Sequence, residues 1–290
     1  MIWKVDNRDI PSYISHIRNA PAQLYAAANT PDTLCALMRR PRIAIVGTRR
    51  VTPYGRQAAR VLASELAARG VVIVSGLALG VDSIAHRSAL EANGMTVAVL
   101  PGSVEEIYPA SHASLAASIV QSGGALLSEY PKGTPTFPNN FVARNRIIAG
   151  LADALLIVEA AERSGALHTV HFAEEQGVPV LAVPGNITSA TSAGTNNLIK
   201  KGHTAVTSAA DVLAVLNINI AQELSDKKLR HTGDNPQEQL LLDLLERGIS
   251  DGSDLLRQSQ LTIETFNHHM TMLEITAKIQ AFGANQWGLA

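Results

Sequence analysis

One cysteine, Cys35, is all that this chain has. That excludes a disulfide within the chain and any cysteine-based metal site, and it leads us to expect a reducing, cytoplasmic setting. Aromatic residues are scarce, at 4%, so base stacking across a broad sheet surface is excluded. Charge of either sign is also lacking in excess. The net charge is −1, so any polyanion-binding role must sit on a local patch. No apolar run is long enough to span a bilayer. The first residues, Met1-Ile2-Trp3-Lys4-Val5-Asp6, lack the apolar centre of a secretory signal. No membrane partner is expected. Neither G-x-G-x-x-G after the first apolar run nor G-x-x-x-x-G-K-[ST] anywhere is present, which argues against a dinucleotide site and a P-loop. His268 and His269 are adjacent and so point to different sides of a helix. They lack the i, i+4 spacing that places two ligands on one face, and no metal is expected.

What the chain does have is concentrated in Arg42-Ile43-Ala44-Ile45-Val46-Gly47-Thr48-Arg49-Arg50, followed by Val51-Thr52-Pro53-Tyr54-Gly55. An apolar strand ends in glycine, a hydroxyl residue and two arginines. Thr52 is placed to cap a helix and Pro53 to open it. A helix N-terminus after such a turn favours phosphate. Residues 39–69 hold eight arginines against the single acid Glu65, a surplus of seven positive charges in one βα unit.

Further strands are expected at Ile43–Val46, Val71–Ser75, Thr96–Leu100, Ala125–Glu129, Ala154–Glu159 and Val180–Val183. Most are continuously apolar, as in strands buried on both faces of a parallel sheet. Helical spacing appears after Pro53 and over 82–92, 111–121 and 167–176. The alternation predicts an α/β fold with a Rossmann-like, doubly wound, mostly parallel sheet. Residues 1–38 read as an extension packed on a core of residues 39–218. The polar stretch 219–236 reads as a linker. Residues 237–290 carry three helical patterns and a hairpin, the pattern of a small winged-helix domain. Their net charge, from Gln237 onward, is −4. The candidate recognition helix, Thr262–Leu273, holds no lysine or arginine, so this domain is expected to dock on protein rather than read duplex DNA.

Ligands of an open α/β sheet collect at the carboxyl ends of its strands. The turns there offer Gly47, Thr48, Arg49 and Arg50, then Ser75 and Gly76, then Phe141 with Arg144, Asn145 and Arg146, then Ser164 and Gly165. These are the candidate site residues. His86, four residues after Asp82, reads as a structural hydrogen-bonding group. His168 and His171 lack a Gly-x-Ser-x-Gly elbow and read as helix-surface histidines. No catalytic residue and no cofactor are expected.

These pieces together carry a resemblance. Gly47-Thr48-Arg49-Arg50 with Tyr54-Gly55, and Ser75-Gly76-Leu77-Ala78-Leu79-Gly80-Val81-Asp82-Ser83-Ile84-Ala85-His86, are similar to the DprA/Smf family of bacterial DNA-processing proteins. The similarity continues through Tyr108-Pro109, Leu127-Ser128-Glu129, Phe141, Arg144–Gly150, Val158-Glu159-Ala160, Ser164-Gly165, Val183-Pro184-Gly185 and Gly194–Ile199. It spans about residues 20–216, in order, and residues 237–290 resemble the winged-helix domain of many members less distinctively. The resemblance implies a homodimer with no established catalytic activity. It implies binding of single-stranded DNA and loading of the RecA recombinase during natural transformation. The pocket it implies is Arg49, Phe141, Arg144 and Arg146, with Gly47, Thr48, Ser75 and Gly76 supplying backbone or hydroxyl contacts. Two departures stand out. Pro138-Asn139-Asn140 and Ala110-Ser111-His112 occupy places where some members carry a basic residue, which should weaken phosphate binding and flatten its salt dependence. No counterpart of the helical domain that precedes the core in longer members is expected. The alternative is an enzyme of the nucleotide-binding Rossmann group, such as a nucleoside monophosphate phosphoribohydrolase. Such enzymes carry a Pro-Gly-Gly-x-Gly-Thr turn and a following glutamate, where this chain has Arg163–His171.

Overall fold

The computed structural model describes residues 2–5, 17, 19–218, 233–276, 278–283 and 285–289. They fall into two compact units divided after Ile218. The expected linker 219–236 lies largely outside the described residues.

The first unit is built on a nine-stranded sheet of order β1-β2-β6-β5-β4-β3-β7-β8-β9. Its strands are β1 (Ile2–Val5), β2 (Leu24–Ala27), β3 (Arg42–Val46), β4 (Val72–Ser75), β5 (Thr96–Leu100), β6 (Ala125–Ser128), β7 (Ala154–Ile157), β8 (Val180–Ala182) and β9 (Thr204–Ala205). From β6 to β9 across the sheet all neighbours are parallel. The six expected strands are all there. Their residues are buried throughout, which is why they read as continuous apolar runs. Each such Val, Ile or Leu contributes roughly 1.5–3 kcal/mol by burial.

The segment before residue 39 does more than pack on this core. β2 pairs antiparallel with β6, Tyr25 opposite Ser128, and β1 pairs antiparallel with β2. Helix α1 (Pro31–Met38) then leads into β3. Helices α2 (Pro53–Ala68), α3 (Val81–Glu91) and α4 (Ala113–Gln121) follow β3, β4 and β5. Helices α5 (Pro138–Leu151) and α6 (Ala166–Glu175) follow β6 and β7, and α7 (Ala193–Lys200) and α8 (Ala209–Val215) complete the unit. Ala44 and Val46 of β3 share one core with Ile147 and Ile148 of α5 and Val170 of α6. Ala98 and Leu100 of β5 share another with Leu115 and Ile119 of α4. The sheet is covered on both faces, so the doubly wound reading stands. Chain order runs outward from β3 through β4, β5 and β6 on one side, and through β7, β8 and β9 on the other. The order reverses between β3 and β7, which opens a crevice at their carboxyl ends.

In the second unit, α9 (Pro236–Glu246), α10 (Gly252–Ser259) and α11 (Ile263–Ile275) precede the antiparallel hairpin of β10 (Ile279–Gly283) and β11 (Gln286–Leu289). Side chains of Asn235, Asp251 and Thr262 cap the three helices. The core gathers Leu241, Leu245, Leu255, Phe266, Met270, Leu273 and Ile279. Three helices and a hairpin make the small winged-helix unit. Met272 stays exposed, as do Ile263 and Ile275 on the same helix. Among the described residues, no helix is long and apolar enough to cross a membrane.

Candidate nucleic-acid interface

A cleft of about 720 Å³ lies at the carboxyl ends of β3, β4 and β7, where the strand order reverses. Gly47, Thr48, Arg49 and Arg50 line it from the turn after β3. Phe141, Arg144 and Asn145 enter from the first turns of α5, and Ser164 and Gly165 from the loop after β7. Nine of the candidate residues therefore come together. Ser75 lies beneath, fully buried, and its hydroxyl donates to Ile45 O at 2.6 Å. Gly76 borders a smaller side pocket with Arg49 and Phe141. Arg146 does not line the cleft. Its guanidinium holds both oxygens of Glu129, at 2.6 and 2.8 Å.

The two arginines after β3 are exposed. Among the described residues neither makes an ion pair. The Arg49 guanidinium stands 5.3 Å from the centre of the Phe141 ring, a cation–π distance. Phe141 is half-buried, and its ring meets Tyr108 edge to face at 5.4 Å. Tyr108 is 54% exposed. It arrives on the loop after β5, whose Tyr108-Pro109 belongs to the family resemblance but not to the candidate site residues. His168 is exposed as expected, yet it faces the cleft beside Thr169.

The floor is a buried polar network. Arg144 is 4% exposed. Its guanidinium donates to Gly76 O at 2.6 Å and also to Val99 O. Burial lowers its pKa to about 10, with Asp82 opposing that shift and Arg49 adding to it. It remains a cation at neutral pH, with Asp82 beside it in the cleft lining. Asp82 accepts from the backbone N–H of Gly76 at 3.1 Å and of Ala78 at 3.4 Å. Burial raises its pKa, while Arg144, these two N–H groups and Arg49 pull it down. His112 Nδ1 donates to Leu77 O at 2.8 Å. The loop after β4 is thus pinned on three sides, which holds Leu77 at φ 58°, a left-handed conformation costly for a side chain with a Cβ.

His86 does form a structural hydrogen bond, to Thr96 rather than to Asp82. The Thr96 hydroxyl spends its one proton on Ile73 O, so His86 Nδ1 donates to Thr96 Oγ1 at 2.6 Å. Nε2 is left as a bare buried acceptor. Burial, with His112 and Arg144 nearby, lowers the His86 pKa to about 3. No group of three or more His, Cys, Asp or Glu able to hold a metal occurs among the described residues.

One expectation about this site fails. The N-terminus of α2 is not open to phosphate, because the carboxylate of Glu159 already sits there. Thr52 N–H donates to Glu159 Oε2 at 2.9 Å and Thr52 Oγ1 to Oε1 at 2.8 Å. The two residues are 107 positions apart in sequence, and no local pattern reveals the contact.

The arrangement is one of exposed cations and an aromatic pair over a floor where Arg144 lies buried beside Asp82, and the chain that carries it has relatives. A family model described as DNA recombination-mediator protein A matches residues 1–217. The chain belongs to the DprA/Smf family. It is 43% identical to Protein Smf of Escherichia coli over 205 residues, 69% of this chain and 55% of that protein. It is 35% identical to DNA processing protein DprA of Bacillus subtilis over 228 residues, 79% of this chain and 72% of that protein. The chain thus spans about half the length of the curated relatives at 43% identity. Among solved structures, DNA processing protein A of Streptococcus pneumoniae superposes with a TM-score of 0.67 at 36% identity, covering 73% of this chain and 74% of that one. The protein of the same name from Helicobacter pylori, solved for its single-stranded DNA binding mode, gives 0.66 at 34% identity, covering 78% and 97%.

Proposed function

We propose that this DprA/Smf protein binds single-stranded DNA in the cleft at its strand-order reversal. The observation that carries the reading is the pair of exposed arginines, Arg49 and Arg50, with Arg49 stacked on Phe141. Unpaired guanidinium groups suit phosphate, and a ring beside them suits an unstacked base, a contact worth roughly 1–3 kcal/mol. The Helicobacter pylori structure, described for single-strand binding, supports the same ligand class. Gly47, Thr48, Asn145, Ser164 and Gly165 frame the strand with backbone and side-chain polar groups. Arg144 acts from beneath as a fixed charge, and Ser75 and Gly76 shape the floor. Arg146, held by Glu129, sets the position of α5.

The wider role we propose follows the family: a cytoplasmic homodimer, without catalytic activity, that assists loading of RecA on single strands during natural transformation and DNA processing. The decisive experiment is a gel shift of a labelled oligothymidylate with unlabelled single-strand and duplex competitors. Single strand should compete and duplex should not. Equal competition by duplex overturns the reading, and release of free base from AMP overturns its non-catalytic part.

A further inference from the structure

Glu159 is 2% exposed, and a carboxylate so buried needs donors. Among the described residues it has three: Thr52 N–H, Thr52 Oγ1 and Thr191 Oγ1, the last at 2.7 Å. The first two stand at the cap of α2, where the helix dipole favours a negative charge. Gly55 completes the seat. A Cβ at that position would land on Glu159 Oε2, so only glycine admits the carboxylate this close. Thr52 Oγ1 meanwhile accepts from Gly55 N–H at 3.1 Å, which leaves the cap and the carboxylate as one hydrogen-bonded unit. The parts of a phosphate seat are all present: a helix start, two hydroxyls, a glycine and the crevice at the strand-order reversal. The chain's own acid fills it.

We propose that Glu159 is a specificity determinant, a resident anion that denies this seat to free phosphate groups. Phosphate is then held only along the exposed arginine rim, where a single group gains little and a polymer gains by repetition. The second half of this proposal rests on the single-strand reading of the cleft; the first half does not. Exclusion works by charge and by space together. A second anion beside Glu159 would meet both its negative charge and the volume it fills.

The test is a titration of the full chain with inorganic phosphate, read by NMR at the backbone amides of Thr52, Tyr54 and Gly55. In the wild type these amides should not respond saturably. In Glu159→Ala they should respond saturably, with phosphate bound at least about tenfold tighter than in the wild type, and phosphate should raise the melting temperature of that variant only. A folded Glu159→Ala with no gain in phosphate binding overturns the proposal and leaves Glu159 a structural staple. A saturable wild-type response at the same amides overturns it too, and that measurement decides alone if the variant does not fold. Binding of an oligothymidylate to the wild type is measured in parallel. Its failure sinks the single-strand reading while leaving the exclusion of phosphate by Glu159 standing.

Discussion

At the residue scale, Arg49 and Phe141 act as one unit. The guanidinium lies over the ring, so each side chain fixes the other. Arg49→Ala should weaken single-strand binding and reduce the slope of log K against log salt by about 0.7, the value of one single-strand phosphate contact. Phe141→Leu keeps much of the volume but removes the π face. Combined with Arg49→Ala it should cost clearly less than the two separate losses added together, because the pair shares its contribution. Strict additivity by fluorescence anisotropy, or an unchanged salt slope in Arg49→Ala, would refute the shared contact. His86 makes a different residue-scale prediction. Its pKa is about 3 in the fold and near 6.5 when unfolded. The unfolded chain therefore binds more protons between those values, and stability is lost as pH falls from about 6.5 toward 3, by up to about 1.4 kcal/mol per pH unit. Above 6.5 the effect is absent. Urea midpoints of the wild type should fall more steeply over that window than those of His86→Leu; parallel curves would mean that the imidazole finds a proton acceptor on folding.

At the scale of elements, β3–β8 were legible in the sequence because strands buried on both faces need only apolar residues. β2 was not, since Leu24-Tyr25-Ala26-Ala27 carries little strand propensity, and the two-residue β9 is too short to signal. α5 escaped for a more telling reason. Its buried face includes Asn140 and Arg144, so polar residues stand where a helical pattern demands apolar ones. What makes them tolerable is long-range: Asn140 Nδ2 donates to Pro101 O at 3.2 Å, and Arg144 holds carbonyls from the ends of β4 and β5. Chemistry at the cleft thus hid the helix that builds it. The contact of Glu159 with α2 was hidden in the same way, while the turn residues of β3 were plain because a strand and its own loop are contiguous. The dependence of α5 on the loop after β4 is testable. A Cβ at Gly76 would fall on the Arg144 guanidinium, which is buried and bonded and has nowhere to go. Gly76→Ala should cost at least about 1–3 kcal/mol, the usual penalty of overpacking, and should weaken strand binding together with stability. An unchanged urea midpoint would show that Arg144 swings aside freely.

At the scale of the whole molecule, charge is divided between the two units. The arginine surplus of residues 39–69 belongs to the first unit, and the residues from Gln237 onward carry a net charge of −4. A winged-helix unit that read duplex DNA would place a basic helix in the major groove. Here α11 offers Glu264 and Glu274 with no lysine or arginine, and its exposed side chains include Ile263, Met272 and Ile275, the last 71% exposed. An acidic surface repels phosphate, whereas apolar side chains in water, methionine among them, suit contact with protein. The first unit also has its own hydrophobic core, formed by residues before 219, so its fold does not depend on the second. Removing residues 226–290 should therefore leave single-strand affinity within about threefold, a change below ~0.7 kcal/mol, with the circular-dichroism melt of the remaining chain still cooperative. The isolated unit, residues 233–290, should leave duplex DNA unshifted at moderate salt. Loss of strand binding by a truncated chain that still melts cooperatively, or a duplex shift by the isolated unit, would assign the winged helix to DNA instead of protein.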